Sequence, residues 1–256
     1  MVEIEPLWLT ITVGFAKSET PYVGFTTNRR DPPDNENKNN SMSTLVGKSF
    51  PNIRVKAMDY LGDQFELNLV KEARNKKKKV LLFWYPKDFT YVCPTEIIAF
   101  GDAHPEFEKR NTLVVGASVD TCEVHFAWLS TPQANGGIEG VEIPLLADTN
   151  RNLSGTLGIL DGIVEKSEDQ AKPDTIKGDN VTYRATYLID EEGVVFHEGV
   201  NTMPLGRNVE EYIRMIDAYT RFQEKGEVCP ANWKDGDEMM TASRESVSSY
   251  LGKRVS

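Results

Sequence analysis

Three cysteines and three histidines are the side chains of this sequence with the chemistry for nucleophilic or redox work. One cysteine stands apart by its setting. Cys93 lies in Tyr85-Pro86-Lys87-Asp88-Phe89-Thr90-Tyr91-Val92-Cys93-Pro94-Thr95-Glu96. It follows an apolar, strand-like run from Val80 to Tyr85 and immediately precedes Pro94, a residue suited to the first turn of a helix. At a helix start, free backbone N–H groups and the positive end of the helix dipole converge on one side chain. That setting favours the thiolate, which is the reactive form of sulfur. Thr90 stands three residues earlier, with its hydroxyl in reach of the sulfur and of whatever the sulfur attacks. Pro86 offers a rigid wall without an N–H, able to screen a reactive sulfur from water.

The other two cysteines read differently. Cys229, in Gly226-Glu227-Val228-Cys229-Pro230, follows a helical pattern and is flanked by glycine and proline, so it reads as mobile and accessible. Cys122, in Thr121-Cys122-Glu123-Val124-His125, reads as a structural or interface thiol. A local dithiol reductase needs Cys-x-x-Cys, and the fourth position here is Glu96. A cysteine hydrolase would pair Cys93 with a histidine. His104, His125 and His197 stand in no recognisable signature of that kind. Close cysteine pairs of the sort that hold zinc do not occur, nor does a nucleotide-binding loop or flavin motif, so the chemistry is expected to need no cofactor.

The elements that must position these residues can be read from periodicity. Val80–Trp84 and Thr112–Val119 are buried-type strands, with Ile143–Leu146 and Ala185–Ile189 as further strand candidates. Glu191-Glu192-Gly193 turns into Val194–Phe196 as a hairpin. Helical spacing covers Thr95–Glu108, Glu123–Leu129 and Val209–Phe222. Ser167–Asn180 is polar and reads as a loop. Lys76-Lys77-Lys78-Lys79 reads as a solvated turn before the first strand. Strands alternating with helices, closed by a hairpin and a final helix, predict an α/β fold with a central mixed sheet flanked by helices.

At 256 residues the chain can bury a full core. Lys and Arg number 29 against 39 Asp and Glu, a net charge of −10, which disfavours a sequence-independent nucleic-acid binder. No stretch reaches the length of a membrane-spanning helix, and Glu3 and Glu5 stand where a signal peptide would be basic. An odd cysteine count does not suit a secreted disulfide framework, so a cytoplasmic location is expected. Residues 1–41 differ from the rest: Asn28 to Ser41 is polar and reads as disordered, and 1–41 as a disordered or non-native extension in preference to a targeting segment.

The spacing Pro86, Thr90, Cys93 resembles the signature of the peroxiredoxins, Pro-x-x-x-Thr-x-x-Cys. The string Phe89-Thr90-Tyr91-Val92-Cys93-Pro94-Thr95-Glu96 is similar to the typical two-cysteine subgroup, which includes the small subunit of alkyl hydroperoxide reductase and the thioredoxin peroxidases. The resemblance runs from about Leu45 to Met239. It is reinforced by Gly116-Ala117-Ser118-Val119-Asp120, by Trp128 and by Gly226-Glu227-Val228-Cys229-Pro230-Ala231-Asn232-Trp233.

That resemblance implies a thioredoxin-like peroxidase domain over 42–225 and a C-terminal arm over 226–256 that carries the second cysteine. It implies that Cys93 attacks a hydroperoxide and becomes a sulfenic acid. Cys229 then resolves it to an inter-subunit disulfide, recycled by thioredoxin or a flavoprotein reductase. A homodimer, assembled further into a decamer, goes with that cycle. Arg184 maps to the family's site arginine, and Glu96 to a secondary hydrogen-bonding role near it. An oligomeric chaperone or a redox relay would use the same fold and remains the alternative. The chain departs from the easily over-oxidised members at Gly136-Gly137-Ile138-Glu139 and Tyr250-Leu251, although a tail helix over Ser246–Leu251 could still cover the site.

Acidity alone does not make a fast peroxidase. A thiol of pKa about 8.5 is a few per cent ionised at neutral pH, so complete conversion to thiolate gains only about thirty-fold. The rest must come from donors fixed around the breaking O–O bond.

Overall fold

A computed structural model describes residues 44–168 and 171–253. The disorder expected over residues 1–41 falls outside the described residues. In chain order the elements are β1 Val55–Met58, β2 Gln64–Leu67, α1 Leu69–Lys76, β3 Lys79–Trp84, α2 Cys93–Asp102, α3 His104–Lys109, β4 Thr112–Ser118 and α4 Cys122–Leu129. There follow β5 Leu145–Ala147, α5 Asn152–Leu157, β6 Ile163–Glu165, β7 Thr175–Lys177, β8 Arg184–Ile189, β9 Val195–Asn201, α6 Val209–Lys225 and α7 Arg244–Gly252. Seven strands form one mixed sheet in the order β2-β1-β5-β4-β3-β8-β9. Its centre is β3, parallel to β4 and antiparallel to β8.

β3 and β8 are buried along their whole length, which is why both read as continuous apolar runs. Side chains alternate across a strand, so β3 feeds two cores. Val80, Leu82 and Trp84 pack on the face covered by α1 and α5, with Leu69, Val70, Leu153 and Leu157. Leu81, Phe83 and Tyr85 pack on the opposite face, with Ile97, Phe100 and Phe107 of α2 and α3, Trp128 of α4 and Ile216 of α6. The α/β expectation, with a central mixed sheet between helices, is what the chain forms.

Three local expectations need correction. The single helix read over Thr95–Glu108 is two, because Pro105 has no N–H to continue the ladder and its ring crowds the carbonyl four residues back. The polar stretch Ser167–Asn180 holds β7, which pairs with β6 through Val164↔Ile176 to form a small hairpin. The lysine run is not wholly a solvated turn. Lys77 closes α1 at φ 51°, but Lys79 opens β3, is buried, and pairs with Glu191 at 2.7 Å.

Candidate active site

Cys93 is the first residue of α2, with Pro94 next to it inside the first turn. Its sulfur is 1% exposed, at the positive end of a ten-residue helix. The register Phe83↔Thr186 leaves Arg184, the first residue of β8, level with the turn that leaves β3. Arg184 Nη1 is thereby 3.5 Å from Cys93 Sγ. Pro86, Thr90, Cys93 and Arg184 line one cavity of about 460 Å³, completed by apolar groups that include Val181 and Met203. Within it the Thr90 hydroxyl donates to the Lys87 carbonyl at 2.9 Å, so its oxygen lone pairs are free to accept. α2 has no side-chain cap at its N-terminus, so Thr90 is not a helix cap.

Behind the sulfur lies a buried ion cluster. Glu96, one turn along α2, accepts from Arg184 Nη1 at 2.6 Å. It accepts three more bonds from Arg207, through the backbone N–H at 2.9 Å, Nε at 2.8 Å and Nη2 at 2.8 Å. The side chains of Glu96, Arg184 and Arg207 are 3%, 4% and 1% exposed, so water contributes little to any of them. Arg207 also donates to the Ala185 carbonyl and lies over the rings of Phe83 and Phe100. Two guanidinium groups against one carboxylate leave a positive charge over, and the Cys93 sulfur lies 3.5 Å from one of them. Buried charge is tolerated when paired.

Cys229 lies elsewhere. Gly226 ends α6 at φ 66°, a left-handed turn that favours glycine, and releases the chain into the arm. The arm is clipped by a bridge between Val228 and Met240 and by the buried ring of Trp233. Cys229 is half-buried beside Arg214 in a second cavity of about 440 Å³, floored by Met215, Tyr219 and Phe222 of α6. Burial pushes its thiol pKa up, and the charge and hydrogen bond of Arg214 oppose that. Arg214 is itself held by Glu211 at 2.6 Å through two bonds. Cys122 starts α4 and is buried, and burial followed by the nearby Glu123 charge pushes its thiol up. All three cysteines are free thiols. The tail helix forms as α7, but none of its residues lines the Cys93 cavity.

The sequence profile of the AhpC/TSA family matches residues 46–198, and that of the C-terminal domain of 1-Cys peroxiredoxin matches residues 222–253. The chain belongs to the AhpC/TSA family. Alkyl hydroperoxide reductase C of Buchnera aphidicola subsp. Acyrthosiphon pisum is 41% identical over 212 residues, covering 82% of this chain and 98% of its own. Thioredoxin peroxidase of Echinococcus granulosus is 37% identical, covering 82% of this chain and 99% of its own. The crystal structure of reduced 2-Cys peroxiredoxin from Plasmodium vivax superposes with a TM-score of 0.73 at 39% identity, over 82% of this chain and all (100%) of that one. The peroxiredoxin assignment therefore rests on both sequence and fold, and this chain is a thiol-dependent peroxidase.

Sequence reasoning missed one member of the peroxiredoxin's buried cluster. Arg207 sits in the loop Met203-Pro204-Leu205-Gly206-Arg207-Asn208, where no periodicity marks a buried residue. Only the long-range contact with Glu96 gives it meaning. Glu96 makes the hydrogen bond to Arg184 expected of it and joins Arg207 as well. Among the described residues no group of three or more His, Cys, Asp or Glu side chains is placed to hold a metal, and no helix is long and apolar enough to cross a membrane.

Proposed function

We infer that this peroxiredoxin reduces hydrogen peroxide and organic hydroperoxides through Cys93, and that Cys229 of a second subunit resets it. The thiolate of Cys93 attacks the terminal oxygen of ROOH. The O–O bond breaks, Cys93 becomes a sulfenic acid, and RO⁻ takes a proton and leaves as ROH. Cys229 then attacks the sulfenic sulfur, an S–S bond forms and water leaves. A dithiol donor, thioredoxin-like or a flavoprotein disulfide reductase, returns both cysteines to thiols by exchange.

The observation that carries this reading is the buried sulfur 3.5 Å from Arg184, in a cluster with one positive charge in excess. The same guanidinium can hold negative charge on the breaking O–O bond, a task best done by donors fixed before the reaction begins. Thr90, with its oxygen free to accept, can take a hydrogen bond from the hydroperoxide. Pro86 screens the sulfur. Apolar lining from Val181 and Met203 supports organic hydroperoxides as substrates beside hydrogen peroxide.

Cys229 lies outside the Cys93 cavity, which favours resolution across a homodimer, assembled in turn into a decamer. We assign 42–225 to the peroxidase domain and 226–256 to the resolving arm, the boundary falling at the end of α6. A cytoplasmic site of action suits three free thiols.

Peroxide consumption with a thioredoxin system tests the reading. Cys93→Ser is expected to abolish turnover. Cys229→Ser is expected to consume one peroxide per subunit and then stop, and to lose the dimer band seen on nonreducing gels. Steady-state turnover by Cys93→Ser would overturn it.

A further inference from the structure

A buried polar cluster that the peroxidase reading does not use lies beneath the loop carrying Pro86 and Thr90. Asp88 is 4% exposed and His125, on α4, is 0% exposed. His125 Nδ1 lies 2.7 Å from Asp88 Oδ2, and Nε2 lies 3.0 Å from the Leu146 carbonyl. A carbonyl only accepts, so Nε2 carries a hydrogen. The short contact at Nδ1 then needs one more proton, on the ring or on the carboxyl. Burial alone pushes His125 down, but the hydrogen bond to Asp88 and its charge carry the net shift upward. Burial pushes Asp88 up, with His125 opposing.

Two further titratable groups face the pair. The Tyr85 hydroxyl, from the end of β3, lies 3.5 Å from Nδ1. Asp120, in the turn before α4, accepts from the Asp88 N–H at 2.9 Å and from Ser118 Oγ at 2.8 Å. Asp88 Oδ1 is buried with no hydrogen-bond partner among the described residues. His125 is therefore the principal partner of this carboxyl group.

The loop above is under backbone strain. Phe89 has φ 52°, a region that non-glycine residues rarely enter. Its ring is held 5.7 Å from that of Trp128, also on α4. Two attachments to one helix thus hold the segment between Pro86 and Thr90. Yet Cys93 is buried and Cys229 lies in another cavity, so an S–S bond forms only after this segment and the first turn of α2 let go.

We propose that Asp88 and His125 are positioning residues, a buried latch that keeps the strained loop folded over Cys93 for the peroxide reaction and whose release is part of the opening that precedes disulfide formation. The proposal rests on Cys93 being the reacting thiol. The latch acts on the two half-reactions in opposite senses: it speeds the first and restrains the second.

Rapid-mixing kinetics on the full chain separates those steps. Asp88→Ala is expected to slow the reaction of Cys93 with hydrogen peroxide about ten-fold and to quicken disulfide formation about three-fold, changes of modest free energy. The peroxide concentration that over-oxidises Cys93 rises accordingly. Asp88→Asn can donate from its amide to neutral Nδ1, keeping the hydrogen bond without the charge, and is expected to recover most of the first rate. His125→Leu, which cannot hydrogen-bond to Asp88, is expected, with circular dichroism confirming the fold, to behave as Asp88→Ala does. Two rates that fall together, two rates that do not move, or equal losses in Asp88→Asn and Asp88→Ala would each overturn the latch. Peroxide consumption by Cys93→Ser in the same apparatus would overturn the reading of Cys93, and the latch with it.

Discussion

The surroundings of Cys93 and Cys229 differ in almost every physical respect. Cys93 is buried at the start of a helix, beside Arg184, whose partner carboxylate Glu96 is shared with a second buried arginine. Cys229 sits half-buried on an arm released by a glycine, with one arginine beside it that is 29% exposed. The first environment holds a sulfur among fixed, paired charges. The second leaves a sulfur half-exposed on a segment held by few contacts, the Val228–Met240 bridge and the Trp233 ring among them. On the proposed cycle, fixed geometry falls where a bond is to break and the more open setting where a second subunit is to be met.

Five experiments, from the largest expected effect to the smallest, would break or sharpen that contrast. Replacing Arg184 by Met removes a fixed donor from the breaking bond, and the rate of Cys93 oxidation should fall by about 10²–10³. Arg214→Met, the corresponding change at the other sulfur, should leave that rate within about two-fold. Equal losses in stopped-flow traces would erase the distinction. Arg207→Met strips Glu96 of two of its four hydrogen bonds from the two arginines and of one of its two ionic partners, the backbone N–H of residue 207 remaining, and urea unfolding should show a loss of about 3–5 kcal/mol. Arg214→Met should cost at most about 1 kcal/mol, because its ion pair is largely solvated.

The two sites should also answer pH differently. Arg214 lowers a Cys229 thiol that burial raises. Its removal should shift the alkaline rise in disulfide formation to higher pH, with no matching shift in Cys93 oxidation. His125 supplies the opposite sign. Its folded-state pKa is raised, so its stabilisation is complete below the unfolded value near 6.5 and is lost as pH rises through the folded value. Imidazole nitrogen shifts followed by NMR should place that titration above the free-histidine range. The smallest effect is expected at the root of the arm. Gly226→Ala forces a methyl-bearing residue to φ 66°, with a cost of about 1 kcal/mol. It should alter disulfide formation and leave Cys93 oxidation alone.

What the sequence disclosed follows the same divide between local and long-range information. Cys93, Thr90 and Pro86 were legible because their spacing along one loop and one helix start is itself the chemistry. β3, β4, β8 and α6 were legible because strong periodicity writes burial into the chain. β2 and the β6–β7 hairpin were not, since nearly all their side chains are exposed and no apolar pattern marks them. Arg207 and His125 were invisible for a different reason. Each is polar, isolated in its segment, and defined by a partner far away in sequence: Glu96 for one, Asp88 for the other. The sequence offered His125, like His104 and His197, no recognisable role, whereas the structure pairs it with Asp88 in the loop beside that cysteine.

The central claim is that one sulfur of three reacts with hydroperoxide. Treating Cys229→Ser protein with one equivalent of hydrogen peroxide in the presence of a sulfenic-acid-specific carbon nucleophile tests it most directly, with the adduct located by peptide mass spectrometry. The account predicts one adduct per subunit, at Cys93 alone. An adduct at Cys122, or an unmodified Cys93 after the peroxide has been consumed, would contradict it.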